Sequence, residues 1–426
     1  ALPEQHRFDI PEGCHWQDVR ERNENLGAAI VGAMRKIELA NPDTLYGVLS
    51  MFSAQKWTDK KNLSDGKIRD LIEHLSTRKL GNKNYPADLM GDAYEILLKK
   101  FADDSKAQAG EFYTPRSVVN LLVRILDPQP GETVYDPACG SGGMLIEAIQ
   151  HMNHSSLCCG TIFGQEKNVV NSAIAKMNLF LHGASDFNIM QGDTLRSPKI
   201  LQNGEIAKFD CVIANPPFSL EKWGSTEWSS DKYGRNIWGT PSDSCGDYAW
   251  IQHMVKSMAP GNGRMAVVMP QGVLFRGNEE GRIREKLVKS DLVEAIVTLG
   301  DKLFYGTGLS PCFMILRRLK PAAHSARVLM IDGTKILTAK RAQNILSPED
   351  VDRLYELYCK YEDIEDFSKV VTIDDIAAKG YDLSPNKYVN YHKEEIRPYA
   401  EVLAEFKAAY EEVLKREAEF EKLINA

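Results

Sequence analysis

Up to about residue 105 the apolar positions recur at helical spacing. Leu26, Ala29, Ile30, Ala33, Met34 and Ile37 form one stripe, Leu71 and Leu75 a second, and Leu89, Ala93, Ile96 and Leu97 a third, with breaks at Asn41-Pro42, Gly81 and Pro86. The spacing predicts a small all-helical domain over 1–105. Beyond it the pattern changes to short β-branched runs separated by amphipathic helices, the pattern of a mostly parallel sheet in an α/β domain. The runs are Thr133 to Asp136, Thr161 to Gln165, Asn188 to Gly192, Phe209 to Ala214, Met265 to Met269, Val293 to Leu299 and Cys312 to Leu316. This α/β pattern is clear to about 332, and the domain is expected to span 106–385. The remainder, 386–426, ends in a charged helix expected from Pro398 to Leu423. Its stripe of Tyr399, Val402, Leu403, Phe406, Tyr410, Val413, Leu414, Phe420 and Leu423 suits packing against a partner helix or folding back onto the chain's own domain.

With 426 residues, 43% of them hydrophobic, the chain can bury more than one core. No apolar run approaches the ~18 residues that cross a bilayer, and Glu4, Gln5, His6 and Arg7 do not open a signal peptide. A cytoplasmic protein without membrane contact is expected. Cys14, Cys139, Cys158, Cys159, Cys211, Cys245, Cys312 and Cys359 are scattered, with no Cys-x-x-Cys spacing and no clustered histidines. Free thiols are expected, and neither a zinc site nor a disulfide framework. The net charge of −7 changes the picture more: a chain that grips a duplex unaided carries a basic surface, so any nucleic acid must be held largely by something else.

Candidate chemistry sits where the strands end. The first runs into Asp136-Pro137-Ala138-Cys139-Gly140-Ser141-Gly142-Gly143, a glycine loop where backbone can approach a ligand closely and where a side chain at Gly142 would occupy ligand space. By itself the loop is equally a tight βα turn. The second ends at Glu166, at a distance from the loop that suits a carboxylate on the ribose hydroxyls of a nucleoside, or one that merely favours the N-terminus of the helix carrying Val169 to Leu181. The Gly-x-Gly-Gly form differs from the Gly-x-Gly-x-x-Gly of a dinucleotide site. The third ends at Asp193, placed to accept a hydrogen bond from an adenine amino group, or merely to cap a loop.

The fourth strand gives the most specific signal, Asn215-Pro216-Pro217-Phe218. An exocyclic amine is a poor nucleophile because its lone pair is delocalised into the ring, until acceptors polarise its N–H bonds. The side-chain carbonyl of Asn215 and the backbone carbonyl of Pro216 can be those acceptors, and the prolines hold them in place. Phe218 offers a face on which a displaced base can stack. The loop from Ser219 to Asp247, with Trp223, Trp228, Trp238 and Lys232, is long enough to clamp such a base but short for reading several base pairs.

Taken together, residues 110–320 resemble the amino-methylating S-adenosylmethionine-dependent methyltransferases. Asp136 to Gly143 is similar to their cofactor loop and Asn215 to Phe218 to their catalytic tetrapeptide. Glu111-Phe112-Tyr113-Thr114-Pro115-Arg116, upstream of the loop, resembles the form found in modification subunits of type I restriction-modification systems. Asp382 to Tyr388 and the terminal helix fit the same family. The resemblance implies a Rossmann-like methyltransferase sheet and methyl transfer to N6 of adenine in double-stranded DNA. It implies Asn215, Pro216 and Phe218 as catalytic residues. It implies Glu111, Phe112, Tyr113, Thr114, Pro115, Arg116, Asp136, Gly140, Ser141, Gly142, Gly143, Glu166 and Asp193 at the cofactor. It also implies a DNA-specificity subunit, a restriction subunit and a second copy of this chain as partners. Because the sulfonium activates the methyl group, no metal is expected. A methylase of protein glutamine side chains faces the same electronic problem, but such enzymes carry Tyr after the prolines. A non-catalytic scaffold on an inherited fold is a further alternative. Methylation at cytosine carbon 5 would need a Cys beyond the fourth strand, whereas Cys211 lies inside it.

Overall fold

In the computed structural model of the chain the described residues are 8–49, 57–79, 114–153, 160–184, 186–304, 310–340, 343–392 and 399–424, with scattered positions from 84 to 97. Glu111, Phe112 and Tyr113 lie outside them. The strands are β1 (Val134–Asp136), β2 (Ile162–Glu166), β3 (Phe187–Gln191), a small hairpin of β4 (Leu201–Gln202) and β5 (Glu205–Ile206), β6 (Cys211–Ala214), β7 (Arg264–Pro270), β8 (Val293–Leu299), β9 (Pro311–Arg317), β10 (Arg327–Gly333) and β11 (Ser368–Thr372). Among the described residues the main sheet has nine strands, in the order β11-β10-β8-β9-β7-β6-β1-β2-β3. β9 is antiparallel to β7 and β8, β11 is antiparallel to β10, and the other pairings are parallel.

All seven expected strands form. β10 and β11 were missed, for different reasons. β10 is an apolar run at the far limit of the α/β pattern, whereas β11 is a short edge strand whose middle residues are half exposed, so little in its sequence separates it from loop. β7 and β8 are buried along their whole length because the sheet is covered on both faces. Alternate residues feed the two layers. Phe313 and Ile315 of β9 join the core beneath the helices Arg116–Leu126, Gly143–Asn153, Val169–Leu181 and Pro348–Lys360. Cys312, Met314 and Leu316 join the opposite core, under Asp247–Ser257 and Asn278–Lys289. Buried Cys139, Cys211, Cys245 and Cys312 are free thiols.

From β1 the chain works outward through β2 to β3; it then returns to β6 on the other side of β1 and continues to β7. The strand order reverses between β1 and β6, which opens a crevice beyond their carboxyl ends, where open α/β sheets bind ligands.

The N-terminal region is helical, with Trp16–Arg20, Leu26–Ala40 and Asp65–Ser76 around a small core of Cys14, Val19, Leu26, Ala33, Ile68 and Ile72. The stripe read at Leu71 and Leu75 is displaced: both are exposed, and Ile68 and Ile72 face inward. This region meets the α/β domain at the helix Val169–Leu181. The Phe8 ring lies edge-on to Phe180 at 5.1 Å, and Lys176 donates to the Tyr46 carbonyl at 3.2 Å. Residues from Asn390 form a separate compact unit, in which Tyr399–Ile424 is one 26-residue helix. Among the described residues no helix is long and apolar enough to cross a membrane.

Candidate functional site

The loop after β1 is built by glycine conformations and buried acceptors. Gly140 (φ +53°) and Gly142 (φ +84°) occupy the left-handed region, which lets the chain fold back so that Gly142 N–H reaches the Cys139 carbonyl at 2.7 Å. Asn178 donates to the Ser141 carbonyl at 3.0 Å, fastening the loop to the helix Val169–Leu181. A Cβ added at Gly140 or Gly143 would meet no heavy atom within 4 Å, so those positions border open space. At Gly142 the added Cβ would lie 3.4 Å from Ala175 Cα; this glycine faces the helix, and a side chain there would press on the fold before it reached a ligand.

Asp136, at the end of β1, is buried, and its Oδ1 accepts the Ala138 N–H at 2.9 Å. Burial pushes its carboxyl up to about 8, the nearby Glu166 charge adds to the rise, and the Ala138 N–H opposes it. Glu166, at the end of the neighbouring β2, ties the β1 loop to the start of the helix Val169–Leu181. Its Oε2 accepts Gly140 N–H at 2.9 Å and its Oε1 accepts Asn168 N–H at 2.7 Å. Burial raises its carboxyl above the ordinary range, against those backbone donors. Asp193 is engaged with protein: Oδ1 caps the turn through Arg196 N–H at 3.1 Å, and Oδ2 pairs with Lys167 at 2.9 Å.

Asn215 immediately follows β6, beside β1. Its Nδ2 donates to Thr114 Oγ1 at 2.9 Å. Its Oδ1 is buried, and no donor meets it among the described residues. The buried carbonyl is thus an acceptor without a proton, an arrangement that costs about 1–3 kcal/mol unless something else supplies the donor. Pro216 is buried, Pro217 is exposed, and Phe218 packs partly against the core. Thr114 and Pro115 lead into the helix Arg116–Leu126, with Pro115 at its N-cap. The segment expected at the cofactor therefore also touches the tetrapeptide, a contact over 101 positions that no local pattern could reveal.

The aromatic loop is a correction to the sequence reading. Trp223, Trp228 and Trp238 are all buried. Trp223 Nε1 donates to the Ser242 carbonyl at 2.8 Å and its ring lies edge-on to Trp228 at 5.5 Å. The buried Arg235 guanidinium stacks on Trp228 at 4.5 Å, pairs with Asp231 at 2.7 Å and donates to the carbonyls of Thr194 and Leu195, each at 2.9 Å. These tryptophans are a core under the segment after β3, and none of them is free to clamp a base. Nothing local signals this, since tryptophans at irregular spacing in a polar stretch suit surface and core equally.

The profile of the N-6 DNA Methylase family matches residues 86–396. The chain is 33% identical over 433 residues to the type I restriction enzyme MjaIX methylase subunit of Methanocaldococcus jannaschii, covering 98% of this chain and 75% of that protein. It is 30% identical over 405 residues to the type I restriction enzyme HindI methylase subunit of Haemophilus influenzae, covering 92% and 86%. Among solved structures, the type I restriction-modification system methyltransferase subunit from Streptococcus thermophilus superposes with a TM-score of 0.79 at 27% identity, over 91% of this chain and 82% of that one.

Proposed function

This chain belongs to the N-6 DNA methylase family, and from that premise we propose that it methylates N6 of adenine in DNA through the crevice between β1 and β6, as the modification subunit of a type I restriction-modification complex. The observation that carries the site assignment is the amide of Asn215. Thr114 holds its nitrogen, and its buried Oδ1 is left without a donor. A target amine is the donor that this oxygen lacks. Accepting one N–H at Asn215 Oδ1 and the other at the Pro216 carbonyl localises the lone pair on nitrogen, and the partly buried Phe218 ring provides the stacking face for an extruded base.

The β1 loop fits S-adenosylmethionine. Open space at Gly140 and Gly143 admits a ligand against the backbone, and Glu166 lies at the end of β2 with lone pairs left for ribose hydroxyls. Thr114, Pro115, Arg116, Asp136 and Ser141, with Glu111, Phe112 and Tyr113, complete the proposed cofactor contacts. Asp193 belongs with them only if the cofactor's adenine shares its carboxylate with Lys167. The bound cofactor supplies a methyl group already activated by a sulfonium charge. The protein's own share is to place the amine in line with it, polarise the amine and keep water away.

We also propose that the chain acts in a complex with DNA, a DNA-specificity subunit, a restriction subunit and a second copy of itself. Supporting this are the net charge of −7, which leaves phosphate neutralisation to a partner, and the apolar stripe along Tyr399–Ile424. The test of the site is Asn215→Ala in the assembled methylase. Methyl transfer is expected to fall at least about a hundredfold, with S-adenosylmethionine affinity by calorimetry nearly unchanged. A folded variant that loses cofactor affinity instead would place Asn215 in the wrong role.

A further inference from the structure

Asp247 opens the helix Asp247–Ser257 and is completely buried. Its Oδ1 accepts the backbone N–H of Ser219 at 2.7 Å, and Ser219 is the residue directly after Phe218. Its Oδ2 is bonded by the Arg276 guanidinium and approached by the Cys245 thiol at 3.3 Å. Arg276 belongs to the loop that follows β7, the strand beside β6, and its Nε donates to Glu280 Oε2 at 2.6 Å. The loop that presents Arg276 is fixed in turn: Arg276 N–H reaches the Gly272 carbonyl at 2.9 Å, and Arg284 donates to the Arg276 carbonyl at 2.7 Å. One carboxylate thus joins the loops at the carboxyl ends of two adjacent strands, gripping the first of them just past the tetrapeptide.

Cys245, Asp247 and Glu280 lie close enough to suggest a cation site, but the Arg276 guanidinium bonds both carboxylates and stands where a cation would. The clasp also acts where the backbone resists its conformation. Ser219 has φ +51°, left-handed for a residue with a side chain, and such a residue persists only when its surroundings hold it. A charge-assisted hydrogen bond to its N–H supplies that hold.

We propose that Asp247 is a positioning residue for methyl transfer, fixing the Pro216 carbonyl and the Phe218 ring through Ser219 against the anchor at Arg276. The inference rests on the reading of Asn215 to Phe218 as the amine-polarising segment. Asp247→Asn keeps the size of the side chain and an oxygen for Ser219, but removes the charge that holds Arg276. Arg276→Gln loosens the same clasp from its partly exposed end.

The experiment is single-turnover methyl transfer in the assembled methylase at saturating DNA and S-adenosylmethionine, with cofactor affinity by calorimetry and thermal unfolding on the same samples. Each variant is expected to lose about tenfold to a hundredfold in rate, as a displacement near 1 Å does, with cofactor affinity close to the parent and a lowered unfolding midpoint, because each breaks a buried ion pair. The double variant should lose little beyond the worse single one, because both act on one link. A folded Asp247→Asn or Arg276→Gln protein at the parent rate overturns the proposal, and so does a parallel fall in rate, cofactor affinity and stability, the mark of a purely structural role. Asn215→Ala in the same assay separates the two claims. If it transfers at the parent rate the polarising segment itself is misread, whereas if it is dead while both clasp variants are fully active, only the role of Asp247 falls.

Discussion

An amide side chain is an ambiguous catalytic group, since turning it over exchanges a donor for an acceptor; at Asn215 the Nδ2 side faces Thr114. Its hydroxyl oxygen takes the Nδ2 proton at 2.9 Å and leaves Oδ1 for the substrate. Thr114→Val should leave a buried N–H without a partner and slow transfer by about tenfold, while Thr114→Ser, which keeps the oxygen, should stay near the parent rate. The readout is the transfer rate set against cofactor affinity. If affinity falls and the rate at saturation does not, Thr114 serves the cofactor and not Asn215. Asp136 allows a second check at this scale. Its carboxyl is raised from 3.8 to about 8 by burial, so between those values the folded chain binds a proton that the unfolded chain releases. Its contribution to stability is therefore present below about pH 4 and is lost as pH rises through about 8. Unfolding titrations at pH 5 and pH 8 should show the parent losing stability relative to Asp136→Asn over that interval. Equal slopes for the two proteins would mean that Asp136 is already ionised in the fold.

Elements place the two glycines of the β1 loop in different work. Both have positive φ, so alanine at either costs on the order of 1 kcal/mol in backbone strain, but the new methyl group points to different places. At Gly142 it meets Ala175 in the helix Val169–Leu181, and at Gly140 it enters open space, where the proposed cofactor site lies. Gly142→Ala is expected to lower the unfolding midpoint with cofactor affinity nearly intact, whereas Gly140→Ala should weaken cofactor binding as well. Calorimetry and thermal unfolding of the pair distinguish them, and the reverse ranking would move the pocket to the other side of the loop. Glu166 acts at the same scale: it joins Gly140 in the β1 loop to Asn168 at the start of the next helix, so one wall of the crevice is tied together.

At the scale of the whole molecule, a chain with a net charge of −7 has to work on a polyanion. The proposed complex resolves this by giving the duplex to a partner subunit, and in that proposal the residues from Asn390, compact by themselves, carry the attachment. The purified chain alone is expected to bind S-adenosylmethionine and to methylate no DNA sequence selectively. A chain ending before His392 should keep cofactor binding and fail to co-purify with the specificity subunit. Site-selective methylation by the isolated chain, measured by nucleoside mass spectrometry, would remove the need for that partner.

What the sequence determined by itself was local in origin. The period of its apolar residues sufficed for seven strands and for the helix Leu26–Ala40, because burial on a strand or helix face repeats within a few residues, but it pointed to the wrong face at Leu71 and Leu75. Glycines and prolines directly after strands marked the β1 loop and the Asn215 to Phe218 turn, because backbone chemistry restricts which residues can stand there. Pairing across long intervals was left to the tertiary structure. Only the strand order brings β6 beside β1, only packing turns the tryptophans of 219–247 inward, and only the folded chain sets Thr114 on Asn215 or Asp247 between Ser219 and Arg276. A hydrogen bond between residues 101 positions apart leaves no trace in the spacing of either one, since its energy depends on a distance that the rest of the chain must first create.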